Sequence, residues 1–253
     1  MSALAIIGGS GLTTLKGLEI THQKEIQTPY GEPSSPIFYG TYAGKALVFL
    51  ARHGVPHVIP PHKVNYRANL WSLKESGVKN VIAVAAVGSI HPDMQPSDLV
   101  IPDQIIDYTY SREQTFFAEK LTHVTHIDFT HPYCDNLRKQ LLTATQSKEF
   151  QNLKEWKVHP KGVYGVTQGP RLETAAEINR MERDGCAIVG MTGMPEATLA
   201  RELDLCYATC AVVANLAAGR GSAQITMTEI EANLKQGIEN VRQLLTEVLI
   251  SKT

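Results

Sequence analysis

Short apolar segments rich in β-branched residues alternate along the chain with longer segments whose apolar residues recur at helical spacing. This alternation predicts an α/β protein with a parallel or mixed sheet between helices. The predicted strands are Leu4–Ile7, Ala46–Ala51, Asn80–Val87, Leu99–Ile106, Gly162–Val166, Ala187–Met191 and Tyr207–Ala214. The predicted helices are Asn65–Ser76, Asp135–Thr145, Glu173–Arg183, Pro195–Leu203 and Thr226–Leu249. The segment from Thr109 to Thr130, rich in aromatic residues and histidine, is predicted to leave the sheet and line a site or an interface.

Length and charge narrow the possible functions. With 253 residues, 43% of them hydrophobic, the chain can bury a full core, and we expect a single domain over residues 1–253. Its formal net charge of -1 provides no general basic field, so we expect neither nucleic-acid nor membrane partners. The N-terminus lacks a basic region and its apolar run covers only Ala3 to Ile7, so we expect a cytoplasmic protein without a signal peptide.

The cysteines and histidines give no metal-site pattern. Cys134, Cys186, Cys206 and Cys210 include no CxxC pair, and buried free thiols are favoured over a metal site or a disulfide. The spacing of His123, His126 and His131 does not by itself specify a metal site either. We therefore expect no zinc and no disulfide.

The first candidate motif follows the first predicted strand. Because ligands of open α/β sheets collect at the carboxyl ends of strands, Gly8-Gly9-Ser10-Gly11 is placed to offer backbone N–H groups and the Ser10 hydroxyl to an anion. Thr14 stands where the dinucleotide-binding fingerprint needs its third glycine, which argues against a nicotinamide-dependent dehydrogenase. Taken alone, the motif is equally compatible with a plain tight turn.

Three further strand ends carry possible anion donors. Arg52 ends the second strand and can present its planar fork to a phosphate, with His53 beside it as a further donor or as a structural histidine. The backbone at Ala86 and the hydroxyl and N–H of Thr192 complete the set. The four strand ends together predict a phosphate site.

At these residues the chain resembles the methylthioadenosine phosphorylase branch of the trimeric purine nucleoside phosphorylase family. The matching segments are Ile6-Ile7-Gly8-Gly9-Ser10-Gly11-Leu12, Ala51-Arg52-His53-Gly54, Lys63-Val64-Asn65-Tyr66-Arg67-Ala68-Asn69-Leu70-Trp71, Gly169-Pro170-Arg171 and Gly190-Met191-Thr192-Gly193-Met194-Pro195-Glu196, and they run along nearly the whole chain. The resemblance implies a mixed-sheet α/β sandwich of the nucleoside phosphorylase type, with inorganic phosphate as co-substrate and neither metal nor cofactor.

The resemblance also assigns residues. It implies phosphate binding by Ser10, Arg52, His53, Ala86 and Thr192, and it places Met191 against the ribose. It implies a homotrimer in which His126 reaches the site of the neighbouring subunit. One position departs from the pattern, because Ala85 stands where the adenosine enzymes carry threonine, which removes one hydroxyl donor.

Two positions indicate which base is bound. Asn215 and Ala217 occupy positions where the branch that takes 6-aminopurines carries two aspartates, and an asparagine amide, which donates and accepts, suits the O6 and N7 atoms of a 6-oxopurine. Glu173, next to Leu172 in the substrate site, matches the glutamate that accepts the N1–H of 6-oxopurines. Glu173 has an alternative interpretation as a first-turn helix carboxylate, and Asn215 as a turn residue before Gly219.

The sugar preference depends on the start of the last predicted helix. Met227 and Ile230 lie one turn apart, which is typical of core packing, but the resemblance assigns them to the 5′-methylthio group. The predicted reaction is phosphorolysis of 5′-methylthioinosine to hypoxanthine and 5-methylthioribose 1-phosphate, with Asn215, Glu173 and His53 as catalytic groups. The alternatives are a methylthioadenosine phosphorylase, a general 6-oxopurine nucleoside phosphorylase and a non-catalytic purine-nucleoside-binding protein.

Overall fold

A computed structural model describes residues 4–119, 122–151, 156–221 and 224–250, and of residues 148 and 149 the backbone only. Its strands are β1 Leu4–Gly8, β2 Glu19–Lys24, β3 Ile37–Tyr42, β4 Lys45–Ala51, β5 Asn80–Ser89, β6 Leu99–Val100, β7 Gln104–Asp107, β8 Val158–His159, β9 Val163–Val166, β10 Cys186–Gly190 and β11 Cys206–Leu216. Its α-helices are α1 Tyr66–Glu75, α2 Asp135–Ala144, α3 Lys148–Gln151, α4 Ala175–Arg183, α5 Glu196–Glu202 and α6 Met227–Ile250.

The strands form one mixed sheet around β5. The order is β2-β3-β4-β1-β5-β10-β9-β7, and β11 pairs with both β5 and β6, while β8 pairs with β6. β1 lies parallel to β4 and β5, β11 runs parallel to β5 along its length, and β10 meets the carboxyl end of β5 in antiparallel register at Gly88 and Ser89. The mixed α/β fold is therefore confirmed, whereas a single domain over residues 1–253 stays a prediction.

Helices cover both faces of the sheet. Successive side chains of a strand point to opposite faces, and in β1 Ala5 and Ile7 belong to one apolar cluster while Leu4 and Ile6 belong to another. α1 and α5 pack on the first cluster, and α2 and α6 pack on the second. The carboxyl ends of the central strands therefore lie between two layers of helices.

Most predicted elements are present within a few residues, but the predicted strand Leu99–Ile106 is wrong. The chain forms β6 and β7 instead, with a break that contains Pro102, a residue that has no N–H to donate to a sheet. The two parts also pair differently, β6 with β11 and β8, and β7 with β9. The pattern also missed β2, whose side chains are all exposed, as well as β3 and β8.

The expectation of four free cysteines is wrong at two positions. Cys134, directly before α2, and Cys206, the first residue of β11, form a disulfide across 72 residues of sequence. Cys186 and Cys210 are free and buried. A search for closely spaced pairs could not find this bond, because the fold rather than the sequence brings the two cysteines together.

Candidate active site

A cavity of about 800 Å³ opens at the carboxyl ends of β1, β4, β5, β10 and β11, beneath the first turns of α6. It brings together every predicted site residue except His126. Those residues are Ser10, Arg52, His53, Ala86, Leu172, Glu173, Met191, Thr192, Asn215, Met227 and Ile230. The strand ends thus converge as the sequence predicted.

The loop after β1 turns tightly beside Arg52. Leu12 N–H donates to Gly9 O at 3.0 Å, which closes the turn. A Cβ atom on Gly9 would lie 2.5 Å from Val84 O and 2.9 Å from Arg52 Nη1, so only glycine fits between the loop and the arginine. The half-buried Ser10 lies at the tip of this turn and lines the cavity.

Arg52 is buried and forms an ion pair that the sequence analysis missed. Its Nε and Nη2 atoms donate to the two carboxylate oxygens of Glu196 at 2.7 and 2.8 Å, and Nη1 donates to Val84 O at 2.9 Å. Burial alone would lower the pKa of Arg52, but the Glu196 carboxylate raises it above its ordinary value. These bonds occupy one N–H group on each nitrogen, so the remaining N–H groups of Nη1 and Nη2 are the ones left for an anion, and phosphate binding by Arg52 stays a prediction.

Glu196 has a second hydrogen-bond partner. It is the first residue of α5, has no exposed surface and accepts a hydrogen bond from Tyr207 Oη at 2.8 Å. Glu196 is the last residue of the family motif Gly190–Glu196, so the sequence could have marked it as a candidate site residue. A buried carboxylate of this kind is stable because it is both paired and hydrogen-bonded.

His53 is held as a neutral ring. Its Nδ1 lies 2.8 Å from Ile59 O, and because a carbonyl only accepts, Nδ1 carries the proton. Burial and then the neighbouring Arg52 charge lower the pKa of His53 to about 4. Nε2 of the neutral ring is therefore an acceptor, and only a protonated ring could donate from it, so the role of His53 at a phosphate site stays a prediction. His57, whose ring centroid lies 4.5 Å from that of His53 with the two rings tilted by 34°, also lines the cavity and was not predicted.

Two predicted residues lie inside strands rather than after them. Ala86 belongs to β5 and Asn215 to β11, near the carboxyl ends. Asn215 stands at a register shift opposite Gly88, so it is not the turn residue of the alternative interpretation. Its Nδ2 donates to Leu216 O at 2.7 Å, which leaves one amide N–H and Oδ1 for a ligand.

Glu173 precedes α4 and does not belong to it. Thr174 caps the helix, and Glu177 supplies the first-turn carboxylate in a reciprocal capping box, so both the predicted helix start and the alternative role of Glu173 are wrong. Instead, Thr167 Oγ1 donates to Glu173 Oε1 at 2.6 Å. The Glu173 carboxylate is held at the cavity with one oxygen already hydrogen-bonded.

Met191 and Thr192 lie directly after β10. Thr192 is buried, and its N–H points toward Tyr164 Oη at 3.5 Å. Met191 lines the cavity at the same strand end. These two residues lie between the Arg52 side of the cavity and the Glu173 side.

One wall of the cavity is apolar. Met227 begins α6 and is 65% exposed at the cavity mouth, whereas Ile230 is half-buried. Leu234 and Ile238 follow at four-residue spacing on the same helix face and also line the cavity. The apolar wall thus extends beyond the predicted pair Met227 and Ile230. The recurrence of apolar residues at helical spacing in the sequence could have predicted this extension.

His126 does not line this cavity. It lies exposed in the segment between β7 and α2, whose described residues 109–119 and 122–130 lie outside the sheet as predicted and which we call the excursion. Exposed aromatic and aliphatic side chains accompany it there, among them Tyr110, Phe117 and Val124.

The described residues contain no cluster of three or more His, Cys, Asp or Glu side chains suited to hold a metal ion. In the same ranges no helix is both long enough and apolar enough to cross a membrane.

The fold is that of solved nucleoside phosphorylases. Residues 3–250 match the Phosphorylase superfamily, and the chain belongs to this family. The predicted family and enzyme class are thereby confirmed.

Three similar proteins have informative names. A protein of Pseudomonas syringae pv. tomato named "Probable S-methyl-5'-thioinosine phosphorylase" is 53% identical over 98% of this chain and 99% of its own length. The 6-oxopurine nucleoside phosphorylase of Pyrococcus furiosus is 46% identical over 97% of this chain and 91% of its own. The structure of methylthioadenosine phosphorylase from Schistosoma mansoni with adenine superposes with a TM-score of 0.93 at 32% identity, covering 100% of this chain and 92% of that one.

Proposed function

We propose that this protein catalyses the phosphorolysis of 5′-methylthioinosine to hypoxanthine and 5-methylthioribose 1-phosphate. The observation that carries the proposal is that Glu173, held by Thr167, and Asn215 line one cavity together with an apolar helix face. For this reaction the cavity must offer complementary groups to the base, to the sugar and to the phosphate.

The base end suits a 6-oxopurine. The free amide N–H of Asn215 donates to O6, and Asn215 Oδ1 accepts from N7 once the leaving base carries a proton there. The Glu173 carboxylate accepts from N1–H. Adenine has an unprotonated N1 and an amino group in place of O6, so two of these contacts would be mismatched.

The phosphate end places donors beside the reacting sugar carbon. Ser10, Thr192 and the remaining N–H groups of Arg52 bind phosphate, and the neutral His53 ring accepts a hydrogen bond from its P–OH group. As the bond to the base stretches, positive charge grows on the sugar and the oriented phosphate bonds to C1′, so that its placement removes much of the entropic barrier. Asn215 stabilises the negative charge that grows on the purine, and no covalent intermediate is required.

The sugar end suits a thioether. Met191 lies against the ribose, and Met227 and Ile230, with Leu234 behind them, enclose the 5′-methylthio group in apolar surface. The side chains of Met227, Ile230 and Leu234 themselves offer a 5′-hydroxyl no strong hydrogen-bond partner. The names of the relatives from Pseudomonas syringae and Pyrococcus furiosus, which specify methylthioinosine and 6-oxopurines, support the proposal.

The test is a substrate panel of methylthioinosine, methylthioadenosine and inosine, each with and without phosphate. We expect turnover only with phosphate, and a preference for methylthioinosine over methylthioadenosine of up to about 10⁴ in kcat/KM, because a mismatched base leaves buried polar groups unpaired. Asn215→Asp is expected to reduce this preference. The matched control is Asn179→Asp, since Asn179 is exposed on α4, accepts a hydrogen bond from Arg220 and does not line the cavity. Equal rates for both methylthio nucleosides would refute the base assignment.

We propose further that the protein is a cytoplasmic homotrimer in which His126 completes the site of the neighbouring subunit. The exposed apolar residues of the excursion support an interface there. Sedimentation should give the mass of three chains, and a fully active monomer would remove His126 from the site.

A further inference from the structure

One arginine of the excursion is bound to the ends of two neighbouring strands. Arg112 is half-buried, and its Nη1 donates to Met191 O at 2.9 Å and to Met194 O at 2.5 Å. Its Nη2 donates to Gln168 O at 2.8 Å and to Thr167 O at 3.3 Å, and its Nε donates to Gln168 Oε1 at 3.1 Å. A single guanidinium thus binds backbone carbonyls that follow β9 and backbone carbonyls that follow β10.

These two strand ends carry the proposed nucleoside contacts. β9 and β10 are parallel neighbours, and Thr167 N–H donates to Gly190 O at 2.8 Å where both strands end. The β9 end carries Thr167, whose hydroxyl holds Glu173, and the β10 end carries Met191. One proposed base contact, Glu173, and the proposed ribose contact, Met191, therefore both depend on segments that Arg112 binds, whereas Asn215 in β11 does not.

Only an arginine can make this set of contacts. Its planar group offers five N–H donors in fixed directions, whereas lysine offers a single compact ammonium. Without the guanidinium, partly buried carbonyls of both segments would lose their donor, and unpaired buried carbonyls favour a local rearrangement. The ring of Tyr66, 5.5 Å from the guanidinium carbon, and its hydroxyl, 3.3 Å from Nη1, fix the arginine from the side of α1.

We propose that Arg112 is a positioning residue that sets the distance between the base-binding and ribose-binding segments. The inference rests on the proposed function only in that the cavity binds a purine nucleoside, whichever base it prefers. Arg112 does not line the cavity and touches no reacting group. Arg112 therefore affects nucleoside binding indirectly, by fixing the position of Met191 and of Thr167, which in turn holds Glu173.

The proposed phosphate-binding residues provide an internal comparison. Ser10, Arg52 and His53 follow β1 and β4, which Arg112 does not contact. Among the side chains proposed to bind phosphate, only that of Thr192 belongs to a segment that Arg112 binds. Loss of Arg112 should therefore raise the KM for the nucleoside much more than the KM for phosphate. A loss of folded enzyme alone would lower the apparent kcat and leave both KM values unchanged.

The experiment compares Arg112→Met and Arg112→Lys with a matched control, Arg138→Met. Arg138 likewise donates to backbone carbonyls, those of Ile101, Pro102 and Pro160, but none of these residues lines the cavity. For Arg112→Met we expect the nucleoside KM to rise about 10-fold to 100-fold, as misplacement by about an ångström can produce. Arg112→Lys should give a smaller rise, and the phosphate KM should change by less than about threefold in both variants.

Hydrogen exchange gives a readout independent of activity. In Arg112→Met the amides of residues 167–173 and 190–194 should exchange faster, while those of β1 and β4 should keep the wild-type rate. Arg138→Met should lower the melting temperature with no change in nucleoside KM. If Arg112→Met does not fold, the same comparison is made on Arg112→Lys.

Three results would overturn the inference. These are an unchanged nucleoside KM in both Arg112 variants, equal increases in the nucleoside and phosphate KM values, and an Arg138→Met variant with the same KM increase. The substrate panel on the wild-type protein separates this failure from failure of the proposed function. If the wild type prefers another purine nucleoside, that nucleoside is used to measure KM, and the test of Arg112 is unaffected.

Discussion

Removing Arg52 should destabilise the fold as well as weaken phosphate binding. Arg52 is 1% exposed and Glu196 is fully buried, and Arg52 donates two hydrogen bonds to both oxygens of that carboxylate. In Arg52→Met, Glu196 would retain only the hydrogen bond from Tyr207 Oη. A buried charge left without its partner is the main consequence of the substitution.

The magnitude follows from the burial of both partners. Breaking a buried ion pair from one side costs about 3–5 kcal/mol. For a chain of this length each kcal/mol shifts the melting temperature by about 2–4 °C, so Arg52→Met should melt roughly 6–20 °C below the wild type. Replacing both residues, in Arg52→Met with Glu196→Leu, leaves no buried charge and should recover much of the loss.

The assay is thermal unfolding of the wild type, the two single variants and the double variant, without and with phosphate. Phosphate at about 100 times its Kd should stabilise the wild type by about 2.7 kcal/mol, and it should stabilise the double variant far less because the donors of Arg52 are missing. A double variant that melts no higher than Arg52→Met would refute the buried-charge argument. A double variant stabilised by phosphate as much as the wild type would remove Arg52 from the phosphate site.

Two further predictions concern pH. His53 should show an Nδ1-protonated neutral ring in NMR spectra at pH 7 and should titrate near pH 4, because burial and Arg52 lower its pKa to about 4; a midpoint above pH 6 would contradict this. Asp98 accepts hydrogen bonds from His159 Nε2 and from the N–H groups of Gln95 and Lys157, which outweigh its burial and lower its pKa. The ionised Asp98 therefore stabilises the fold above the unfolded pKa of about 3.9, and this stabilisation is lost as the pH falls further. In thermal unfolding, Asp98→Asn should lower the free energy of unfolding by about 1.5–3 kcal/mol at pH 7 and by progressively less below pH 4.

The central sheet could be predicted because its strands are buried on both faces. β1 is buried at every residue, and β5 and β11 are buried at most, so their sequences read as continuous apolar runs that pattern analysis recognises. β2 has no buried face and gives no such signal. The run from Leu99 to Ile106 is apolar at most positions, and its break is marked only by Pro102 and the two polar residues after it, Asp103 and Gln104.

The side chains at the strand ends could be predicted, whereas their partners could not. Arg52 was found from its position after β4, but Glu196 lies 144 residues away and reaches it only through the fold. Arg112 lies in a segment whose sequence has neither helical nor strand periodicity. Its acceptors are backbone carbonyls, which every residue carries, so the sequence does not indicate them. Sequence reasoning therefore finds the groups of this cavity and misses the contacts that orient them.

The missed contacts change how the proposed phosphate site works. Glu196 offsets the charge of Arg52 and His53 is neutral, so this end of the cavity carries little net positive charge. A phosphate bound there is held by directed hydrogen bonds from the Arg52 N–H groups, the hydroxyls of Ser10 and Thr192 and the backbone, rather than by a general attraction for anions. With Nδ1 of His53 committed to Ile59 O, Nε2 of the neutral ring presents an acceptor that suits a P–OH group. The proposed site thus combines several directed donors for the unprotonated oxygens of a phosphate with one acceptor for its P–OH group.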